Sequence, residues 1–217
     1  MTGKKIQTYS DWLIRLVGLN FLWLLFSGLG LGFLGIFPAS SALFACLRDY
    51  HRQRQIKVWL RFKDYFLASL FTSNLKGYSL LSLIALLWID YRWLLSQRSL
   101  LTYLLALVLF FACLISCLGL LIFFALDVHY QVKFSAAILN PFRFICSYPK
   151  TSLVICGSLL LWSLVLYLIP GLGLFLGISL PTRIISYCVQ VQLVKLDGGQ
   201  VGHLLQKHEK YDKLYYL

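Results

Sequence analysis

The chain has 217 residues, of which 59% are hydrophobic and 13% charged, and its mean hydropathy is +0.77. A water-soluble domain is about a quarter charged, so this composition excludes an ordinary soluble globular fold. The net charge of +12 would suggest nucleic acid in a soluble protein. Here no compact basic domain with interleaved aromatics stands outside the apolar stretches, and the charge fits cytoplasmic loops, which collect Lys and Arg.

The opening, MTGKKIQTYSDWLIRLVG, has the basic start of a secretory signal. Asp11 and Arg15 interrupt it, and no A-x-A-like site follows the apolar stretch. It reads as a retained first membrane segment over 12–29. Next comes GLGLGFLGIFPASS at 28–41, with the spacing Gly30-x-Gly32-x-x-Gly35. A dinucleotide loop of that spacing needs a strand before it and a helix after it. The preceding stretch is apolar and helical in character, so no nucleotide cofactor is expected. The glycines read instead as the outer bend of a helical hairpin, 12–47. A second copy, GLGLFLGI at 171–178 after Pro170, reads as the bend of a last hairpin, 151–191. Glycine eases tight backbone and lets helices approach closely.

Between the hairpins the basic residues gather in loops. The first loop, 48–76, contains VWLRFKDYFLASLFTSNLK. Phe62, Phe66, Leu67 and Leu70 fall at helical spacing there, with Arg61 and Lys63 alongside. That pattern predicts an amphipathic elbow helix on the cytoplasmic face, apolar side in lipid. A docking surface for a cytoplasmic partner is the alternative. Lys76 is expected to snorkel to the inner interface, and Trp88, Tyr91 and Trp93 suit the outer one. A second helix pair occupies 77–126, a second basic loop 127–150, and a tail 192–217. The expected fold is all-α: a polytopic integral membrane protein forming a single domain over 1–217. It has about six membrane segments, at 12–29, 31–47, 73–93, 100–126, 151–169 and 172–191. A five-segment arrangement, with 12–47 as one span plus a surface helix, is the alternative. With both termini inside, nearly every Lys and Arg falls on the cytoplasmic side and only Arg92 and Arg98 fall outside.

Chemistry is sparse. The sequence contains no H-E-x-x-H, no G-x-S-x-G and no G-x-x-x-x-G-K-[ST], so a non-enzymatic protein is expected. The six cysteines form no C-x-x-C pair and read as small hydrophobes; neither metal nor other cofactor is expected. The eight acids are expected not to pair inside the membrane. Arg183, shortly after Pro181, is the candidate intramembrane charge. It either serves a function or pairs with Asp127 at the inner end of the fourth segment. Asn20 in the first segment is placed to hydrogen-bond across helices, and Asp11 and Arg15 form a local i, i+4 pair.

Three blocks carry a family resemblance: WLIRLVGLNFLWLLFSG at 12–28, FPASSALFACLRDY at 37–50 and FKDYFLASLFTSNLKGYSLL at 62–81. In these the chain resembles the YesL family of bacterial membrane proteins, built around domain of unknown function 624. The bend at 28–35 is richer in glycine than the family's usual pattern. Members are often encoded beside ATP-driven sugar importers. The resemblance therefore implies a multi-pass protein of the bacterial cell membrane with the lipid bilayer, and an ABC-type sugar transporter or another membrane protein, as partners. It implies an accessory role in carbohydrate uptake. A sugar or sugar-acid permease in its own right is the alternative. The E-A-A-then-Gly loop of importer permease subunits is absent from the sequence.

Overall fold

The computed structural model describes residues 2–51, 57–97, 99–130 and 134–200. The expectations for Arg98, for 52–56 and 131–133 in the two basic loops, and for the tail from 201 onward lie outside the described residues. Among these residues all regular structure is helical. The elements are α1 (Thr2–Leu29), α2 (Ile36–His51), α3 (Val58–Ser96), α4 (Leu100–Tyr130), α5 (Phe134–Ser147), α6 (Pro149–Leu168), α7 (Leu172–Leu176) and α8 (Ser179–Gln200).

The boundaries follow local chemistry. Nothing within α3 breaks it: its 39 residues contain no proline. Helix α6 opens on Pro149, whose missing N–H costs nothing in a first turn. It ends before Pro170, because a residue preceding proline is driven out of the helical region. Pro181 sits in the first turn of α8, again where it is tolerated.

Among the described residues, four helices are long and apolar enough to cross a membrane: Trp12–Leu29, Val58–Ser96, Leu100–Val128 and Pro149–Leu168. Helix α2, with 16 residues, is shorter than the roughly 20 a span requires. Helix α8 carries Arg183, Lys195 and Asp197 and is not among the four. Length and composition thus mark four candidate spans among the described residues. Their outward faces are apolar: Leu101 and Val108 on α4, and Leu153 and Leu161 on α6, are all exposed.

Two cores hold the helices together. One joins Leu16, Leu19 and Phe26 of α1 to Leu43 and Leu47 of α2 and to Phe62 and Phe66 of α3. The other packs Phe37 and Phe44 of α2, the Ile122–Leu126 stretch of α4, Phe144 of α5, Ile155 of α6 and Ile185 and Val189 of α8.

Three expectations change. First, no separate elbow helix exists: residues 58–70 continue unbroken into the rest of α3. Phe62 and Phe66 face protein, 0% and 6% exposed, with their rings 5.3 and 5.0 Å from that of Phe26. Helical spacing identified an apolar face, but the helix beside it claimed that face before lipid could. Second, the two glycine stretches are not geometric copies. The first is a tight turn in which Leu31 (φ 56) and Gly32 (φ 73) are left-handed. A Cβ on Gly30 would lie 2.4 Å from Gly35 Cα, and one on Gly35 would lie 2.5 Å from the Ser27 carbonyl oxygen. Close backbone crossing requires glycine at both places. The second stretch forms the short helix α7 and a turn: a Cβ on Gly171 would meet nothing within 4 Å, and one on Gly177 would meet only Gly173, one turn earlier in the same segment. Third, the α1–α2 turn does not sit level with the α3–α4 connection. Asn74 and Tyr78 of α3 hold the first turn, and about 20 residues, or roughly 30 Å of helix, separate them from Gln97. That is the thickness of a hydrocarbon core. With α3 crossing a membrane, the two turns cannot both be outer bends.

Candidate functional site

The polar groups of the interior converge where α2, α3 and α4 meet. Helices α2 and α3 run antiparallel and close. The Ser41 and Ser73 hydroxyls are 2.8 Å apart, and a Cβ on Gly77 would meet the Phe37 ring at 2.6 Å. This contact brings the end of α2 against Tyr65. Asp49 is 1% exposed and accepts a hydrogen bond from the Tyr65 hydroxyl at 2.8 Å. Arg48 donates to the Val128 carbonyl of α4 at 2.6 Å and approaches Asp49 at 3.4 Å. Its guanidinium carbon is 5.9 Å from the Tyr65 ring centre. Asp49, an isolated acid at a site this buried, would be strongly disfavoured; a phenol and a guanidinium make it tolerable.

About three turns further along α3, Lys76 Nζ lies 2.6 Å from Asp127 Oδ1 of α4, with the side chains 13% and 14% exposed. A carboxylate takes the Lys76 charge. Asp127 is thus paired with Lys76 and not with Arg183. Asp127 and Val128 are adjacent, so α3 and α2 grip the end of α4 through neighbouring residues.

Asn20 organises the other half of the molecule. It is 1% exposed. Its Nδ2 donates to the Leu174 carbonyl at 2.7 Å, and its Oδ1 accepts from the backbone N–H groups of Ile178 at 3.0 Å and Ser179 at 3.3 Å. The end of α7 and the start of α8 leave backbone groups without intrahelical partners. One amide from α1 satisfies three of them. Arg183 lies one turn into α8, half-buried, and its Nη1 has no hydrogen-bond partner among the described residues. The Ser179 hydroxyl is in the same condition.

The remaining sequence-chosen residues scatter. Lys63 is exposed and Arg61 half-buried, while Phe62 and Phe66 belong to the core. Among the described residues no three His, Cys, Asp or Glu side chains gather as a metal site. Sequence reasoning missed the Arg48–Asp49–Tyr65 cluster. Its one signal was an arginine–aspartate pair directly following the uncharged run 16–47.

These features define a class: an all-helical protein with several helices able to cross a membrane, tied together by polar contacts between them. The chain belongs to the family described as "Protein of unknown function, DUF624", whose model matches residues 16–91. It is 31% identical over 221 residues to the uncharacterized protein YteU of Bacillus subtilis (strain 168), covering 98% of this chain and 95% of that protein. It is 28% identical over 168 residues to the uncharacterized protein YesV of the same organism, covering 76% and 79%. No solved structure matches the chain.

Proposed function

We propose that the chain is a non-enzymatic multi-pass protein of the bacterial cell membrane that acts as an accessory to carbohydrate uptake, with its C-terminus in the cytoplasm. The observation that carries the accessory part is how the interior polar groups are used. Asp127 holds Lys76, Tyr65 holds Asp49, Val128 holds Arg48, and the α7–α8 junction holds Asn20. Groups consumed in helix-to-helix contacts favour a fixed scaffold. Carbohydrate enters through the family resemblance. The partner is an ABC-type sugar transporter or another membrane protein.

The test is affinity purification of the tagged chain in mild detergent from its native membrane. Stoichiometric copurification of transporter subunits is the expected result. Recovery of the chain alone, under conditions that keep known transporters intact, would overturn the reading.

A specific observation favours a second reading, a small-solute permease. The α7–α8 segment is a discontinuous helix, a device that transporters use at solute sites, and Arg183 Nη1 beside it is unpartnered. A guanidinium offers five donors in a fixed fork for a sugar acid. Saturable uptake by purified protein in liposomes, lost in Arg183→Lys, would establish the permease; the accessory reading expects no flux.

A further inference from the structure

From the polar face of α8 we infer a binding site for a small carboxylate-bearing solute of the sugar-acid class, with Arg183 as its anchor and Ser179 as a second donor. The inference rests on the permease reading above for its location. Binding is measured apart from flux, so that each can fail alone.

One face of α8 is polar and turned inward. Ser179, Thr182, Arg183 and Ser186 fall at positions i, i+3, i+4 and i+7, which is one face of a helix. The three hydroxyl residues are 0%, 5% and 1% exposed. Arg183 adds a charge, and a charge kept among membrane helices is a sign of a ligand or ion site.

Two atoms on this face are cut off from water with nothing in its place. The Ser179 hydroxyl and Arg183 Nη1 are both buried, and neither has a hydrogen-bond partner among the described residues. Such atoms bear their full desolvation cost, a charged group most of all. An arginine that merely reached for an interface would keep its head group in water. Residues four apart share a helix face, and a long helical side chain lies over the turn N-terminal to its own Cα, so the two donors stand together. Arg183 as a whole is half-buried, so the guanidinium is the first group that an approaching solute meets.

Neighbouring polar groups are already engaged. The interior acids Asp127 and Asp49 are held by Lys76 and Tyr65. Asn20 Oδ1 takes the N–H groups of Ile178 and Ser179, so the site is made of side chains and not of a helix end. The Thr182 hydroxyl donates to the Ile178 carbonyl and keeps its lone pairs for an incoming alcohol.

The donors select the ligand. A guanidinium presents parallel N–H groups that match a carboxylate. The next cation along α8, Lys195, is about three turns on. One negative charge is therefore matched, and the charge of about two on a phosphate monoester is not. The hydroxyls of Ser179 and Thr182 suit the alcohols of a sugar ring.

Calorimetry on the full chain in a sugar-free detergent tests the site with D-glucuronate, D-glucose, inorganic phosphate and dihexanoyl phosphatidylglycerol. The expected result is saturable binding of glucuronate, about tenfold or more tighter than glucose. Arg183→Lys keeps the charge but loses the fork, and should weaken glucuronate by about tenfold or more. Ser179→Ala removes a hydroxyl that has no hydrogen-bond partner to lose. That variant should melt no lower than the parent, yet bind glucuronate about threefold or more weakly. A packing role would not produce that split, and the variant keeps the site testable should Arg183→Lys fail to fold. Glucuronate bound no better than glucose, or bound equally by both variants and the parent, would overturn the site. Arg183-dependent binding of phosphate or of the phosphatidylglycerol in place of glucuronate would overturn the carboxylate assignment. Binding of glucuronate without uptake in liposomes would uphold the site and remove the permease reading alone.

Discussion

Replacing Lys76 with Met removes a cation from a contact in which 2.6 Å separates Nζ from Asp127 Oδ1 and both side chains are about seven-eighths covered. Asp127 is left charged, or must take up a proton, in surroundings of Phe123, Phe124 and Leu126. Breaking one side of a buried pair costs about 3–5 kcal/mol, while removing both partners together is close to neutral. The residual exposure puts the single substitution near the lower end, about 3 kcal/mol, and Asp127→Leu should cost a similar amount. The double variant Lys76→Met/Asp127→Leu should recover most of the loss, to within about 1 kcal/mol of the parent. Thermal unfolding in detergent, followed by the loss of the monodisperse peak in size exclusion, reads all four corners of the cycle. On the scale of soluble domains of this size, about 3 kcal/mol lowers Tm by roughly 6–12 °C. A shift below that expected for an exposed pair, about 1 kcal/mol or less, would show that the contact does not hold α3 to α4. A double variant as unstable as the sum of the singles would refute the coupling outright.

The other predictions use the same melting assay. Tyr65→Phe removes the hydrogen bond to buried Asp49 and should cost about 1–3 kcal/mol, whereas Tyr91→Phe, distant from the cluster, should be silent. Gly35→Ala pushes a methyl into the Ser27 carbonyl and should destabilise strongly, while Gly157→Ala, in the open middle of α6, should be neutral or gain up to about 1 kcal/mol from helix propensity. Equal effects from the two glycine substitutions would contradict the close crossing of the turn. Asn20→Leu strands three backbone groups and should cost at least about 2 kcal/mol; an unchanged melting temperature would mean that the α7–α8 junction is satisfied some other way.

The sequence was informative wherever a signal was one-dimensional. The apolar segments expected at 100–126 and 151–169 fall on α4 and α6, and Pro170 marked the break after α6. The blocks at 12–28, 37–50 and 62–81 pointed to the family that residues 16–91 match. What failed depended on which neighbour an apolar face would meet. The spacing of Phe62 and Phe66 is the same whether lipid or Phe26 lies opposite, so periodicity alone could not choose. The pairing of Lys76 with Asp127 joins residues 51 positions apart. Lys76 read as an interfacial charge and Arg183 as the competitor for the same acid, and only packing decided. The repeat of GLGL and FLGI was real as text and misleading as geometry, since only the first copy is crossed by another stretch of backbone.

Asn20 sits near the start of the chain, and the groups it binds lie 154 to 159 positions later. During synthesis α1 therefore enters its environment with an amide whose partners have not yet been made. Until the ribosome has passed Ser179, that side chain must find a temporary companion or remain a polar defect in an apolar helix. The portion matched by the family model, 16–91, contains the amide but not the junction it closes. A fragment ending at 91 would carry the defect permanently, so the last quarter of the chain finishes the first helix as well as following it.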